Sequence, residues 1–286
     1  MTSGLLNSPL LLTAIGDYQT ETSAWITRTE AAGGTISTAT KNAVDAFVVS
    51  CKGAGIWTKF KRLNLFCGNN LTACLSPLVN TYGGNMDTNY NSSFVSGDYA
   101  ESTGLHGGSG KSLTTGFIPN TTLAYNYWHM ASYMVSPTAG AGIDLGCVGH
   151  PSGNIQWRIL SYYFLNSFQG SGVIAGDYSG GSNPTFQTYG NLVAGGLFLA
   201  SRTSSSAMLA RNTSGSVSYS NSASYSGIQA LPTAEVCVMA DGAGGYEAVS
   251  HHIGGYSVGL GMDSAQMASY CSIMETFQTA LSRNHG

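Results

Sequence analysis

Apolar residues recur at helical spacing in one early stretch of the chain. Ala43, Val44, Phe47, Val48 and Cys51 fall at i, i+1, i+4, i+5 and i+8, one stripe at a 3.6-residue period. Lys41, Asn42, Asp45 and Lys52 lie off that stripe. Ser37 or Thr38 can cap the first turn, and Gly53 and Gly55 suit the left-handed position that ends a helix. The pattern predicts a helix over residues 38–52. Ile56, Trp57 and Phe60 follow as a dense apolar group, expected to close the end of a core. Leu63 and Leu65 then alternate with Arg62 and Asn64, as in a half-buried strand. Upstream, residues 23–32 form a candidate short helix that Gly33 and Gly34 stop.

From residue 68 to 110 the chain is polar and broken by Asn-Asn, Gly-Gly and Gly-Asp pairs, which mark turns. Strand-like runs then recur at 115–118, 127–135, 143–148, 155–164, 172–175, 195–201, 206–211, 234–239 and 254–259. Turn residues separate them at intervals that suit a sandwich. A second helix closes the chain. Met267, Tyr270, Cys271, Met274, Phe277 and Leu281 form its stripe, and Asp263 with Gln266 three residues later makes a capping box. Arg283 is expected in its last turn, complementing the helix dipole. A Met and Phe stripe at this spacing indicates core packing, here on the sandwich beside the first helix. No internal repeat or linker marks a second domain.

Composition sharpens this picture. Only 9% of the 286 residues are charged, against a typical quarter, while glycine (38) and tyrosine (16) are abundant. That mixture fits many short strands joined by tight turns. It also fits a protein that stays soluble within an assembly. A formal charge of −3, with no basic patch beyond Lys59, Lys61 and Arg62, gives no footprint for nucleic acid. No run reaches the ~18 apolar residues of a membrane span. Leu5, Leu6 and Leu10 to Leu12 lack a preceding Lys or Arg, so a secretory signal is not expected. The six cysteines contain no CxxC pair and are expected as buried, reduced thiols rather than zinc ligands.

Four segments together resemble the concanavalin A-like jelly-roll domains (the LamG, lectin and glucanase type) of bacteriophage structural and tail proteins. They are Ala31-Ala-Gly-Gly-Thr-Ile-Ser through Gly55-Ile-Trp, with Lys59 and Leu65-Phe-Cys-Gly68; Lys111-Ser-Leu-Thr-Thr-Gly-Phe-Ile-Pro-Asn120 with Trp128-His-Met-Ala-Ser-Tyr133; Leu199-Ala-Ser-Arg-Thr-Ser204 with Arg211-Asn212; and Tyr256-Ser-Val-Gly-Leu-Gly261 with the last helix. The resemblance runs from about residue 29 to the end. It implies an all-β chain: a concanavalin A-like jelly-roll β-sandwich with an N-terminal helical segment and a C-terminal helix. Residues 1–28 would be an N-terminal extension and candidate docking arm, and 29–286 a single domain. It implies a virion protein, in head decoration or the tail and baseplate, made in the host cytoplasm. Its partners would be other virion proteins and sister subunits. The alternative is a receptor-binding module that recognises host surface glycans, and a third reading is a polysaccharide-degrading enzyme. The fold alone does not choose among them.

Each chemical motif has a bland counterpart. Gly107-Gly-Ser-Gly-Lys-Ser112 lacks the leading glycine of a phosphate loop, since Leu105 stands there, and no helix follows. It is expected as a turn before a strand. A glycosidase needs two carboxyl groups ~5 to 9.5 Å apart, and in glucanases of this fold they share one strand. None of Glu21, Glu30, Glu101, Glu235, Glu247 and Glu275 has an acidic partner at that spacing, so no catalysis is expected. His251 and His252 are adjacent and point to opposite strand faces, which disfavours a shared metal. One is expected buried and the other exposed. No metal, nucleotide or other cofactor is expected. The candidate ligand-contact residues are Tyr82, Tyr90, Tyr99, Tyr178 and Tyr189, set among small polar residues where tyrosine makes adaptable contacts.

Overall fold

The computed structural model describes residues 17–124, 126–136, 142–150, 153–165, 168–177, 185–189, 195–204, 207–213, 231, 233–240 and 251–283, with the backbone alone from 148 to 189 and at 207–208. Four helices are described: α1 (Thr20–Ala31), α2 (Thr38–Gly53), α3 (Leu71–Cys74) and α4 (Ser264–Ala280). The strands are β1 (Phe60–Asn64), β2 (Val79–Asn80), β3 (Thr88–Asn89), β4 (Tyr99–Ala100), β5 (Gly104–His106), β6 (Leu113–Thr114), β7 (Trp128–Ser136) and β8 (Gly142–His150). They continue with β9 (Gly153–Leu165), β10 (Phe168–Asp177), β11 (Thr185–Tyr189), β12 (Gly196–Ser204), β13 (Ala207–Asn212), β14 (Cys237–Val238) and β15 (His252–Gly259).

The strands form two antiparallel sheets. One has the order β13-β12-β7-β15-β1-β2, with β5 pairing β15 and β4 pairing β5; the other has the order β11-β10-β9-β8-β14-β6-β3. The helices cover the outer face of the first sheet, so the unit has three layers. Period-2 alternation sorts the side chains between them. Trp128, Met130 and Met134 of β7 face the second sheet with Leu145, Cys147 and Val238. Ala131, Tyr133 and Val135 of the same strand face Val44, Phe47, Met274 and Phe277 of the helices. Phe47 and Phe277 meet edge to face at 5.6 Å between ring centroids.

The helix stripes bury as their spacing predicts. Ser37 Oγ accepts the Thr40 N–H at 3.0 Å. Asp263 accepts from Gln266 N–H at 2.9 Å while the Gln266 side chain accepts from Asp263 N–H at 3.1 Å, closing the capping box. All six cysteines are buried.

Several expectations change. Because β1 lies between β15 and β2 in a sheet covered on both faces, Arg62 and Asn64 are buried, and the strand is not half-solvated. The polar stretch 68–110 contains α3 and β2 to β5. The run at 115–118 is not a strand. Its ladder ends at Thr114, where the Thr115 hydroxyl turns inward to donate to Val236 O at 2.7 Å, and Gly116 takes a φ of +69°. Arg283 lies beyond the end of α4 and is buried; it donates to backbone carbonyls of distant segments, not to the helix dipole. Thr22 and Trp25 of α1 are buried in the helical layer, so the packed unit includes residues assigned above to the extension. The leucine-rich residues 1–16 lie outside the described residues.

Candidate functional site

α1 presents two faces. Trp25 and Thr29 point inward, where the Trp25 indole N–H donates to Ser76 O at 3.0 Å and the Thr29 and Ser76 hydroxyls lie 2.6 Å apart. Glu21, Ala24 and Arg28, at i, i+3 and i+7, line up on another face. They form one wall of an open groove of about 440 Å³. The other wall is the turn Trp57–Lys59 and the start of β1, with Trp57, Thr58, Phe60 and Lys61. Its floor is Leu78, β2 and Thr81. β2 is the last strand of its sheet, so the groove runs along a sheet edge.

The groove joins an aromatic wall to polar tips. The Trp57 and Phe60 rings meet edge to face at 6.1 Å, and Trp57 is half-buried. Thr58, Asn80 and Thr81 supply hydroxyl and amide groups. Glu21 is held by the Lys52 ammonium at 2.6 Å. Arg28 donates through Nη2 to Pro77 O, and its Nε is buried without a hydrogen-bond partner. Burial, with repulsion from Arg62 as the second cause, lowers the pKa of Arg28. The groove is open, with apolar walls and a few polar groups, and its volume falls within the ~300–1,000 Å³ range of small-ligand sites.

Of the tyrosine candidates, the side chains of Tyr82, Tyr90 and Tyr99 are described. Tyr82 is 43% exposed and packs edge-on against Phe117. Tyr90 sits half-buried in a short turn. Tyr99 is 8% exposed, and its hydroxyl donates to Gly68 O at 2.8 Å and Phe66 O at 3.2 Å, so its ring belongs to the core. Tyr178 and the side chain of Tyr189, which ends β11, lie outside the described residues. Ile56 and Phe60 are buried as expected, and Trp57 packs against the same core while its outer side lines the groove. Glu21 lies outside the helix expected over residues 23–32, and nothing in the sequence brings Ala24 and Arg28 to Trp57 and Asn80.

The histidines separate as adjacent strand positions should. His251 is buried with Nε2 2.6 Å from Asp144 Oδ1. His252 is half-buried and stacks on His106 at 4.4 Å. Among the described residues, no group of three or more His, Cys, Asp or Glu side chains could hold a metal ion, and no helix is long and apolar enough to cross a membrane. Lys111, of the glycine-rich segment, pairs with Asp98 and lies over the Phe94 ring.

Under the helices His129 and Ser257 have the spacing of a base and a nucleophile. His129 Nε2 is 3.1 Å from Ser257 Oγ, which also accepts from Tyr270 OH at 3.0 Å. The Tyr270 proton leaves Ser257 to donate to Nε2, and Nδ1–H donates to Leu260 O at 2.7 Å. All three side chains are fully buried, so the arrangement serves packing. Burial pushes the His129 pKa down to about 4, against an ordinary 6.5. The unfolded chain therefore takes up a proton below pH 6.5 that the folded chain refuses until about pH 4. Stability from this residue is full above pH 6.5 and is lost as pH falls toward 4, by on the order of 3 kcal/mol. Denaturant unfolding at pH 7 and pH 4.5 should show a loss for the wild type that is smaller by about 2 kcal/mol or more in His129→Gln. Equal losses would show that His129 is protonated in the fold.

No family model and no curated protein matches the chain. Among solved structures, it is similar to a Trypanosoma rangeli sialidase in complex with 2,3-difluorosialic acid, at 9% identity and a TM-score of 0.45, over 81% of this chain and 38% of that one. It is also similar to the enzymatically active domain of tailspike protein 2 of bacteriophage CBA120, at 14% identity and 0.43, over 60% and 27%. A third is an immunostimulatory antigen and pseudo β-1,3-glucanase of Mycobacterium tuberculosis, at 13% and 0.31, over 54% and 69%. This chain thus spans less than half the length of the first two. Scores below 0.5 leave any assignment of activity to the chain's own residues.

Proposed function

We propose that this chain is a concanavalin A-like jelly-roll module of a bacteriophage particle, in a tail or head-surface part, and that it works by contact. Its groove between α1, the Trp57 turn and β2 takes a saccharide of the host surface, while other faces meet sister subunits and neighbouring virion proteins. The groove is the observation that carries the reading: a half-buried indole beside an amide, two hydroxyls and two cations on a sheet edge. An indole covers the apolar face of a sugar ring while the polar groups meet its hydroxyls. Low charge and the sequence resemblance support the virion setting.

The module is proposed to bind without catalysis. Glu21 is the one acidic residue lining the groove, and its carboxylate is engaged by Lys52. Hydrolysis by the two-carboxylate route needs a second acid across the sugar bond.

An array of bacterial surface saccharides, probed with the full chain and with Trp57→Ala, tests the reading. Trp57 is half-buried and packs against the core, so the variant's unfolding free energy is measured alongside and binding is compared on folded protein. Its loss should weaken binding by about 2 kcal/mol, a ~30-fold higher Kd. A chain that binds no saccharide would overturn the glycan reading, and binding unchanged in Trp57→Ala would move the site elsewhere.

A further inference from the structure

We propose, resting on the glycan-contact reading, that the groove selects anionic saccharides, whose carboxylate or sulfate group pairs with Arg28 and Lys61. Apart from Lys61, each described lysine is engaged, and so is Arg62. Lys41 pairs with Glu30, Lys52 with Glu21, Arg62 with Asp87 and Lys111 with Asp98. Lys59 donates to the Tyr127 hydroxyl at 2.6 Å. Arg28 and Lys61 both line the groove, and neither has an acidic partner among the described residues. In a chain with only 11 Lys and Arg residues, two unneutralised cations in one groove are a concentration of positive charge.

The environment of Arg28 reinforces this. Its guanidinium is fixed by one bond to Pro77 O, while Nε is buried and unpartnered. A buried donor without a partner is costly, and so is a cation beside another cation. Burial and the field of Arg62 already weaken its hold on the proton. An anion in the groove would offset the repulsion and occupy the free Nη donors. A guanidinium held in one plane meets a carboxylate through two parallel bonds, and Lys61 adds a point charge. Glu21 does not oppose this, because Lys52 neutralises it. The indole of Trp57 would lie against the ring that bears the acid.

The test is calorimetric titration of the full chain with three probes: oligogalacturonate, dextran sulfate and neutral dextran. At low salt at least one charged probe should bind ~10-fold tighter than dextran, and this advantage should shrink as ionic strength rises to roughly 200 mM. The charged probe that binds better identifies the acidic group. Lys61→Gln, on an accessible side chain, should weaken the charged probe ~5- to 10-fold and leave dextran unchanged. Arg28→Gln should do the same. Arg28→Lys should restore sulfate binding more than carboxylate binding, since it keeps the charge and loses the fork. Equal affinity for charged and neutral probes, or no effect of Lys61→Gln, overturns the inference. If the array shows saccharide binding but none of it falls with these substitutions, anion selection fails and the glycan reading stands. If the array shows no binding, both fall.

Discussion

Arg283→Ala is expected to destabilise the protein by about 4 kcal/mol and to lower its melting temperature by roughly 10 °C. The guanidinium is buried just past α4, and all five of its donors are accounted for. Nε donates to Gln278 Oε1 at 2.5 Å, Nη1 to Phe66 O at 2.8 Å and Glu101 O at 3.0 Å, and Nη2 to Leu65 O at 2.7 Å and Gly254 O at 3.0 Å. One side chain thus ties the last helix to the segment after β1, to the β4–β5 turn and to β15. Truncation leaves Leu65 O and Glu101 O without this donor. Phe66 O keeps the Tyr99 hydroxyl, and Gly254 O keeps the Gln278 amide at 3.4 Å. Each abandoned buried carbonyl costs about 1–3 kcal/mol, and the lost charged bonds add to it. Arg283→Lys should recover only part of this, because three donors on one nitrogen cannot reach four dispersed carbonyls. Denaturant unfolding of the three proteins checks the ranking. A loss under about 1 kcal/mol for Arg283→Ala would mean that the helix end is not anchored this way.

Arg283 also marks where the sequence stops being readable. The stripes of α2 and α4 are legible because each helix needs only one apolar face, and the spacing of Val44, Phe47 and Cys51, or of Met267, Met274 and Phe277, states which face. β7, β12 and β15 are legible as near-continuous apolar runs, because their sheet is covered on both sides. The pairs β2 to β5 are not. Each is two or three residues long, and nothing in a polar, glycine-rich segment distinguishes them from turns. A cation near a helix end has a local partner in the dipole, so sequence places Arg283 there. Its actual partners are contributed by residues near 66, 101 and 254, which only the fold brings together.

The groove is illegible for the same reason. Its residues come from α1, from the Trp57 turn and from β2, and each segment has a sufficient local explanation: an exposed helix face, a core-closing aromatic and a polar turn. The tyrosine loops drew attention through composition, yet Tyr99 proves to be a core residue that caps backbone carbonyls. The proposed contact site rests on the coincidence of a half-buried indole with two cations that have no acidic partner among the described residues. That is a property of neighbours in space.

Asp87→Ala should cost about 3–5 kcal/mol, the range for removing one partner of a buried ion pair. Arg62 and Asp87 are both fully shielded from solvent and meet at 2.6 Å. Asp87 Oδ1 also accepts from Tyr256 OH at 2.7 Å, and Oδ2 accepts from Asn64 Nδ2 at 2.7 Å. Arg62 spends its other terminal donors on Gly84 O at 2.6 Å and Tyr82 O at 3.2 Å. The network pins the loop before β3 onto the first sheet, close to the β2 edge that floors the groove. Truncating Asp87 leaves a buried guanidinium with no counter-charge and frees three donors at once, while the pair's own net contribution is far smaller. The double variant Asp87→Leu with Arg62→Met should therefore be less destabilised than Asp87→Ala alone, although it abandons Tyr82 O and Gly84 O. Asp87→Asn, which keeps two acceptors at most and loses the charge, should fall between the wild type and Asp87→Ala. Unfolding free energies of these variants, with saccharide binding measured on each, separate two consequences. Loss of stability with binding retained would confine the network to holding the sheet. Weaker binding in the folded variants would show that it also sets the geometry of the β2 edge. A cost below about 1 kcal/mol for Asp87→Ala would overturn the buried-pair account.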